Sequence, residues 1–306
     1  MKKLILIDGN AIVHRAFHAL PPLKTDEGVL VNAAYGFSSM LLNLLNDKKP
    51  DYIAVSFDLA KKTFRHEEYK EYKATRKKAP DGLYEQFPIV KEIVRTFNIP
   101  IYEIEGFEAD DVLGTLSYQA DQKGDIETYI FTGDMDTLQL VSDRTFILAP
   151  SKGISEPVVY DEQKVRAKYG LSPSQIIDMK GLQGDNSDNI KGVQGIGPKT
   201  AKDLLQKYKN LEGIYEHLDE IKGAAKSKLE NDKESAFFSR YLATIVRDVP
   251  LKLDLEKCKT HEYDEDKLMG LFLKLGFKRL LIKLGKFNSH SEVKKREDDP
   301  AQQSLF

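Results

Sequence analysis

Carboxylates recur where β-rich runs of the sequence stop. Three runs end in aspartate: Leu4-Ile-Leu-Ile-Asp8, Ile53-Ala-Val-Ser-Phe-Asp58 and Tyr129-Ile-Phe-Thr-Gly-Asp134, the last continuing to Asp136. A fourth run is followed by Gly106-Phe-Glu108-Ala-Asp110-Asp111, where a helix begins, and Gly184-Asp185-Asn-Ser-Asp188 comes later. Each acid alone has an ordinary explanation. Asp-Gly is a turn pair, and Glu108, Asp110 and Asp111 suit the start of a helix. Together they ask for more. Parallel strands end on one edge, so the acids converge, and facing carboxylates repel unless cations lie between them. Hard divalent cations take oxygen ligands, and Mg²⁺ suits such a site, with Mn²⁺ as a substitute. From Glu105 to Asp143 ten acids stand against one base, Lys123. Two divalent ions about 4 Å apart are the usual apparatus for displacement at a phosphate.

A basic stretch follows Asp58. Residues 61–78 hold eight Lys or Arg and three Glu, interleaved with Phe64, Tyr69 and Tyr72. A charge run is often just a solvated helix face, but cations alternating with aromatics also fit a surface that grips phosphates and stacks bases. Further on, Gly192-Val-Gln-Gly195-Ile-Gly197-Pro198-Lys199-Thr200 imitates a P-loop. Pro198 removes a backbone N–H from that cradle, and no strand precedes it. A tight turn between two helices, with Pro198 at the first helical position, fits better. Such a helix-hairpin-helix offers backbone N–H groups and a helix N-terminus to phosphates.

The elements that must position these groups alternate. Strand patterns at Lys3–Ile7, Tyr52–Phe57, Ile99–Ile104, Glu127–Thr132 and Thr145–Leu148 are separated by helical patterns at Ala33–Leu45, Tyr84–Phe97 and Asp110–Gln122. This predicts an α/β fold with a central, largely parallel sheet flanked by helices, and ligands outside the carboxyl ends of its strands. After Leu171 the signals are all helical. The expected organisation is an α/β domain over 1–171, a helical DNA-binding region over 172–287 and a polar tail over 288–306. The 306 residues suffice for this, and one cysteine, Cys258, excludes a disulfide framework. The apolar run of the N-terminus stops at Asp8, too early for a signal peptide, so a cytoplasmic location is expected. The net charge of −2 speaks against nucleic acid only until it is seen as a cancellation of acidic and basic stretches.

These ordered motifs resemble the 5′-nuclease (flap endonuclease) family, and most closely the 5′–3′ exonuclease domain of bacterial DNA polymerase I and its stand-alone relatives. The resemblance runs from about Met1 to Phe287. It implies a PIN-like fold with a helical arch, here at about 60–90. It also implies one metal cluster of Asp8, Asp58, Glu108 and Asp110 and a second of Asp111, Asp134, Asp136, Asp185 and Asp188. Lys73 and Arg76 fall where basic arch residues meet the scissile phosphate, with Arg65 on the DNA and Tyr72 stacking on a base. Gly192, Gly195, Gly197, Lys199 and Thr200 fall in the duplex-binding hairpin, which in the family holds a monovalent cation such as K⁺. The implied activity is structure-specific hydrolysis of DNA with a 5′ flap, nick or 5′ end, by a monomer without membrane attachment, in replication and repair. The final Gln302-Gln-Ser-Leu305-Phe306 resembles a sliding-clamp-binding peptide, although Gln303 departs from the usual Leu. Two rival readings are an idle branched-DNA-binding module, which an incomplete acid set would have favoured, and a ribonuclease, which the hairpin disfavours.

Overall fold

The computed structural model describes residues 1–151, 157–260 and 263–284. In chain order the elements are β1 (Lys2–Asp8), α1 (Gly9–Ala19), α2 (Asn32–Lys48), β2 (Tyr52–Ser56), α3 (Phe64–Glu68), α4 (Asp81–Tyr84), α5 (Phe87–Thr96), β3 (Ile101–Tyr102), α6 (Ala109–Asp121), β4 (Ile126–Phe131), β5 (Thr145–Ala149) and β6 (Val158–Tyr160). Helices follow: α7 (Glu162–Tyr169), α8 (Gln175–Gln183), α9 (Pro198–Tyr208), α10 (Leu211–Glu216), α11 (Ala224–Asn231), α12 (Lys233–Ala243), α13 (Leu255–Cys258), α14 (Glu265–Lys274) and α15 (Lys278–Lys283). Among the described residues no helix is long and apolar enough to cross a membrane.

The sheet has the order β3-β2-β1-β4-β5-β6, with every pair parallel except β5–β6. Its central strand explains the layering. Leu4 through Ile7 are all buried, as a strand covered on both faces requires. Ile5 and Ile7 join α1, α2 and α5 in one core, while Leu4 and Leu6 join α6 in the other. β1 registers Asp8 with Ser56 on one side and Ile7 with Phe131 on the other. The strand order reverses between β1 and β4, and their carboxyl ends mark the crevice where such sheets bind ligands.

Two departures from the sequence reading have physical causes. The strand expected over Ile99–Ile104 contracts to Ile101–Tyr102, because Pro100 has no N–H to give a ladder. Asp8-Gly9 is no turn: β1 passes straight into α1, and the Asp8 side chain caps it by accepting from the Ala11 N–H at 2.9 Å. Gly9 is needed there, since a Cβ would lie 2.3 Å from the Phe57 ring. Residues 171–236 build a helical core of their own, but Ile245, Val249, Leu253 and Cys258 return to one sheet face. Leu268, Phe272, Phe277, Leu280 and Leu281 return to the other.

Candidate active site

The strand-end acids do share one edge. Asp8 is buried, and its second oxygen accepts from the Thr132 hydroxyl at the end of β4, at 2.8 Å. Burial, with Asp58 and Asp134 nearby, pushes its carboxyl from an ordinary 3.8 to about 7, against the pull of those hydrogen bonds. Asp58 accepts from Asn10 Nδ2 at 2.8 Å and from the Ala109 N–H at 2.6 Å, tying the start of α1 to the start of α6. Glu108 caps α6 in a reciprocal box with Asp111. Capping and site-building are thus done by the same residue.

Asp110 and Asp111 are adjacent in sequence and opposite in circumstance. The Asp111 carboxylate is fully buried and accepts two hydrogen bonds from Arg65, both at 2.7 Å, with further N–H donors from Glu108 and Val246. Arg65 is itself 2% exposed and also donates to the carbonyls of Leu242 and Thr244. Two assignments therefore change. Asp111 has no oxygen to spare for a metal, and Arg65 holds the fold rather than DNA. The Asp110 Oδ1, by contrast, is buried with no hydrogen-bond partner among the described residues. Burial, then Asp111 and Glu108, raise its carboxyl well above the usual range.

The second group is more open and better countered. Asp134 is exposed and accepts from the Asp136 N–H at 2.9 Å. Lys180, on α8, bridges Asp136 (2.7 Å) and Asp185. Burial and Asp134 still push Asp136 up to about 6. Burial acts upward on Asp185 too, but hydrogen bonds from Lys180 and Ser187 prevail and hold it at about 2.

Residues 60–90, which include α3 and α4, form a strap whose Tyr72, Lys73 and Arg76 reach the acids of this edge. Lys73 donates to Glu108 at 2.6 Å and lies 3.9 Å from Asp188, while Arg76 pairs with Asp188. Burial works against the Lys73 charge, but Glu108, Asp188 and Asp110 outweigh it and raise its pKa. Lys73 holds a left-handed φ of 57° and its N–H donates to the Asp188 carbonyl. Tyr72 is 4% exposed, and its hydroxyl donates to Glu108 and Asp188, so it supports the acids and offers no face to a base. Lys180, Thr132 and Asn10 escaped the sequence reading. Thr132 and Asn10 each lie two residues from a strand-end acid, a usable signal, whereas nothing local marks Lys180.

The glycine turn leads into α9 at Pro198 as expected, with Lys199 exposed and Thr200 half-buried. It is not a tight connection from α8, because an Asp185–Ile190 bridge intervenes. Gly192 closes it at φ 65°, where a Cβ would fall 2.2 Å from the Gly184 nitrogen. The Gly195 carbonyl accepts from Lys228 Nζ at 2.9 Å. Gln302, Leu305 and Phe306 lie outside the described residues.

Among the described residues no three His, Cys, Asp or Glu groups close on a common point that would hold a metal; Lys73 and Lys180 sit between them. The donor set still fits a hard cation. It consists of oxygens, and the buried Asp110 Oδ1 lacks a partner beside other carboxylates.

Comparison with known proteins shows the family and the fold. Residues 3–170 match the family model of the 5′-3′ exonuclease N-terminal resolvase-like domain, and residues 171–266 that of the 5′-3′ exonuclease C-terminal SAM fold. DNA polymerase I of Bacillus subtilis is 44% identical over 299 residues, covering 97% of this chain and 34% of that protein. The chain spans about a third of the length of the curated relatives it matches. A bacteriophage T5 D15 flap endonuclease, solved with DNA and metal ions, superposes with a TM-score of 0.66 at 21% identity, covering 79% of this chain and 89% of that one. The catalytic core of Rad2 with a DNA substrate gives 0.58 at 16% identity, covering 92% of each chain. The chain belongs to the 5′–3′ exonuclease family, a group of nucleases whose fold it shares.

Proposed function

We propose that the chain hydrolyses DNA phosphodiesters at 5′ flaps, nicks and 5′ ends, acting as exonuclease and flap endonuclease in replication and repair. The observation that carries this reading is the gathering of strand-end acids at one sheet edge, to which Lys180 and Lys73 tie Asp185 and Asp188 from the loop after α8. Asp8, Asp58, Glu108 and Asp110 would hold one Mg²⁺, and Asp134, Asp136, Asp185 and Asp188 a second. When bound, the ions would supply an acidified water and stabilise charge on the leaving 3′ oxygen. Thr132, Asn10 and the Ala109 N–H fix the orientation of Asp8 and Asp58. Lys73 and Arg76 would exchange their carboxylates for substrate phosphate, placing cations where negative charge develops. The Gly192–Gly197 turn, Lys199 and Thr200 would meet duplex phosphates through backbone N–H groups. Any K⁺ at that turn would share the Gly195 carbonyl with Lys228.

The test is cleavage of labelled 5′-flap, nicked and single-stranded DNA in Mg²⁺, with mapping of product ends. The expected products carry a 5′-phosphate and a 3′-hydroxyl, and Asp134→Ala should lose cleavage while still binding the flap. Full activity of that variant in Mg²⁺ would sink the assignment.

A further inference from the structure

We propose that a run of aromatic rings beside the acid edge, Phe107–Phe64–Tyr241–Phe238–Tyr69, is a stacking track for the bases of an unpaired DNA strand. This rests on the nuclease reading and adds residues that it does not supply. The rings follow one another at centroid distances of 6.0, 6.3, 6.3 and 5.8 Å. They come from three parts of the chain: the loop before α6, the strap, and α12. Phe238 is 39% and Tyr241 46% exposed, and their rings lie within 20° of parallel. Large aromatics left in water side by side mark a surface that meets something.

The choice of occupant follows from position. At one end Phe64 adjoins Arg65, and the strap continues from there to Lys73 and Arg76. In the middle of the run α12, which carries Phe238 and Tyr241, also turns Ser235 and Ser239 onto Gly192, donating to its carbonyl and accepting from its N–H. Helix α12 thus sets its two exposed rings between the strap that reaches the acid edge and the turn proposed to grip duplex, a place an unpaired strand leaving a junction can cross. Tyr241 and Tyr69 donate their hydroxyls to Glu68 and Glu71, which pins the rings, and Phe238 and Tyr241 are the members of the run that face water. Exposed Lys62 and Lys70 flank the track, but Glu67, Glu68 and Glu71 share it. Its grip therefore comes from stacking more than from charge, and stacking is tolerant of sequence because every base has a face.

The experiment measures affinity for two 5′-flap DNAs with the same duplex in Ca²⁺, one flap of thymidines and one of abasic units. The full chain should prefer the thymidine flap by about tenfold, a preference changing little with salt. In Phe238→Ala/Tyr241→Ala the two affinities should become equal. Phe238→Leu/Tyr241→Leu, which keeps apolar volume, should behave likewise, and Tyr241→Phe should keep the preference. A preference unchanged in both double variants overturns the proposal. So does its absence in the unaltered chain, the result expected if a protein partner covers the rings. Cleavage of the thymidine flap in Mg²⁺ by the unaltered chain reads the nuclease function separately.

Discussion

The two carboxylate groups on the sheet edge are solved in opposite ways. In the Asp8–Asp58–Glu108–Asp110 group Asp8 and Glu108 are buried while Asp58 is exposed, and the countercharge falls on Glu108, from Lys73 and Arg65, while Asp110 keeps a buried oxygen without a hydrogen-bond partner among the described residues. The Asp134–Asp136–Asp185–Asp188 group is partly neutralised, by Lys180 between Asp136 and Asp185 and by Arg76 on Asp188. The first stores repulsion that a cation would relieve, and the second exchanges one cation for another. Burial sets the difference, because a desolvated carboxylate gains most from a new positive neighbour.

The largest expected effect tests the first group. Asp110→Ala should lower flap cleavage in Mg²⁺ on the order of a thousandfold. Its neighbour should behave otherwise: Arg65→Ala, leaving Asp111 buried and unpaired, should cost about 3–5 kcal/mol of stability, read from the denaturant midpoint. If Asp111→Asn abolished cleavage with stability intact, Asp111 would belong with the metal ligands after all. The pH dependence of stability in chelator separates the groups by sign. Native Asp8 keeps a proton that the unfolded chain has lost between 3.8 and about 7, so its contribution falls as pH rises through that window. Asp8→Asn should remove that slope. Asp185, held at about 2, contributes stability present above 3.8 and lost as pH falls through about 2. The smallest effect concerns Lys180→Met, which should lower the Mg²⁺ needed for half-maximal cleavage about twofold by removing a competing ammonium.

Much of this edge was legible because strand ends are local features: an apolar run followed by aspartate places the acid without knowledge of the rest. The same logic located Glu108 and Asp110 at the start of α6. What stayed hidden depends on distant partners. Arg65 and Asp111 look like a DNA contact and a ligand until the fold brings them together across 46 positions. Tyr72 sits in a stretch composed like a stacking surface, yet Ile190 and Leu242 bury it. The rings that do face water, Phe238 and Tyr241, lie in an ordinary amphipathic helix with nothing to mark them. Short cations such as Lys180 carry no sequence sign of which acids they will meet.

The guanidinium of Arg65 has a consequence for how the molecule comes into being. Its hydrogen bonds to Leu242 and Thr244 close loops of 177 and 179 residues. A chain emerging from the ribosome therefore makes the whole acid edge long before it can finish the contact that holds α3 in place. Until then a buried-type cation waits without its carbonyls. The two family segments should consequently melt and refold as one cooperative unit, with slow kinetics set by this distant closure. A gene cut at residue 171 should yield a product that proteases clear.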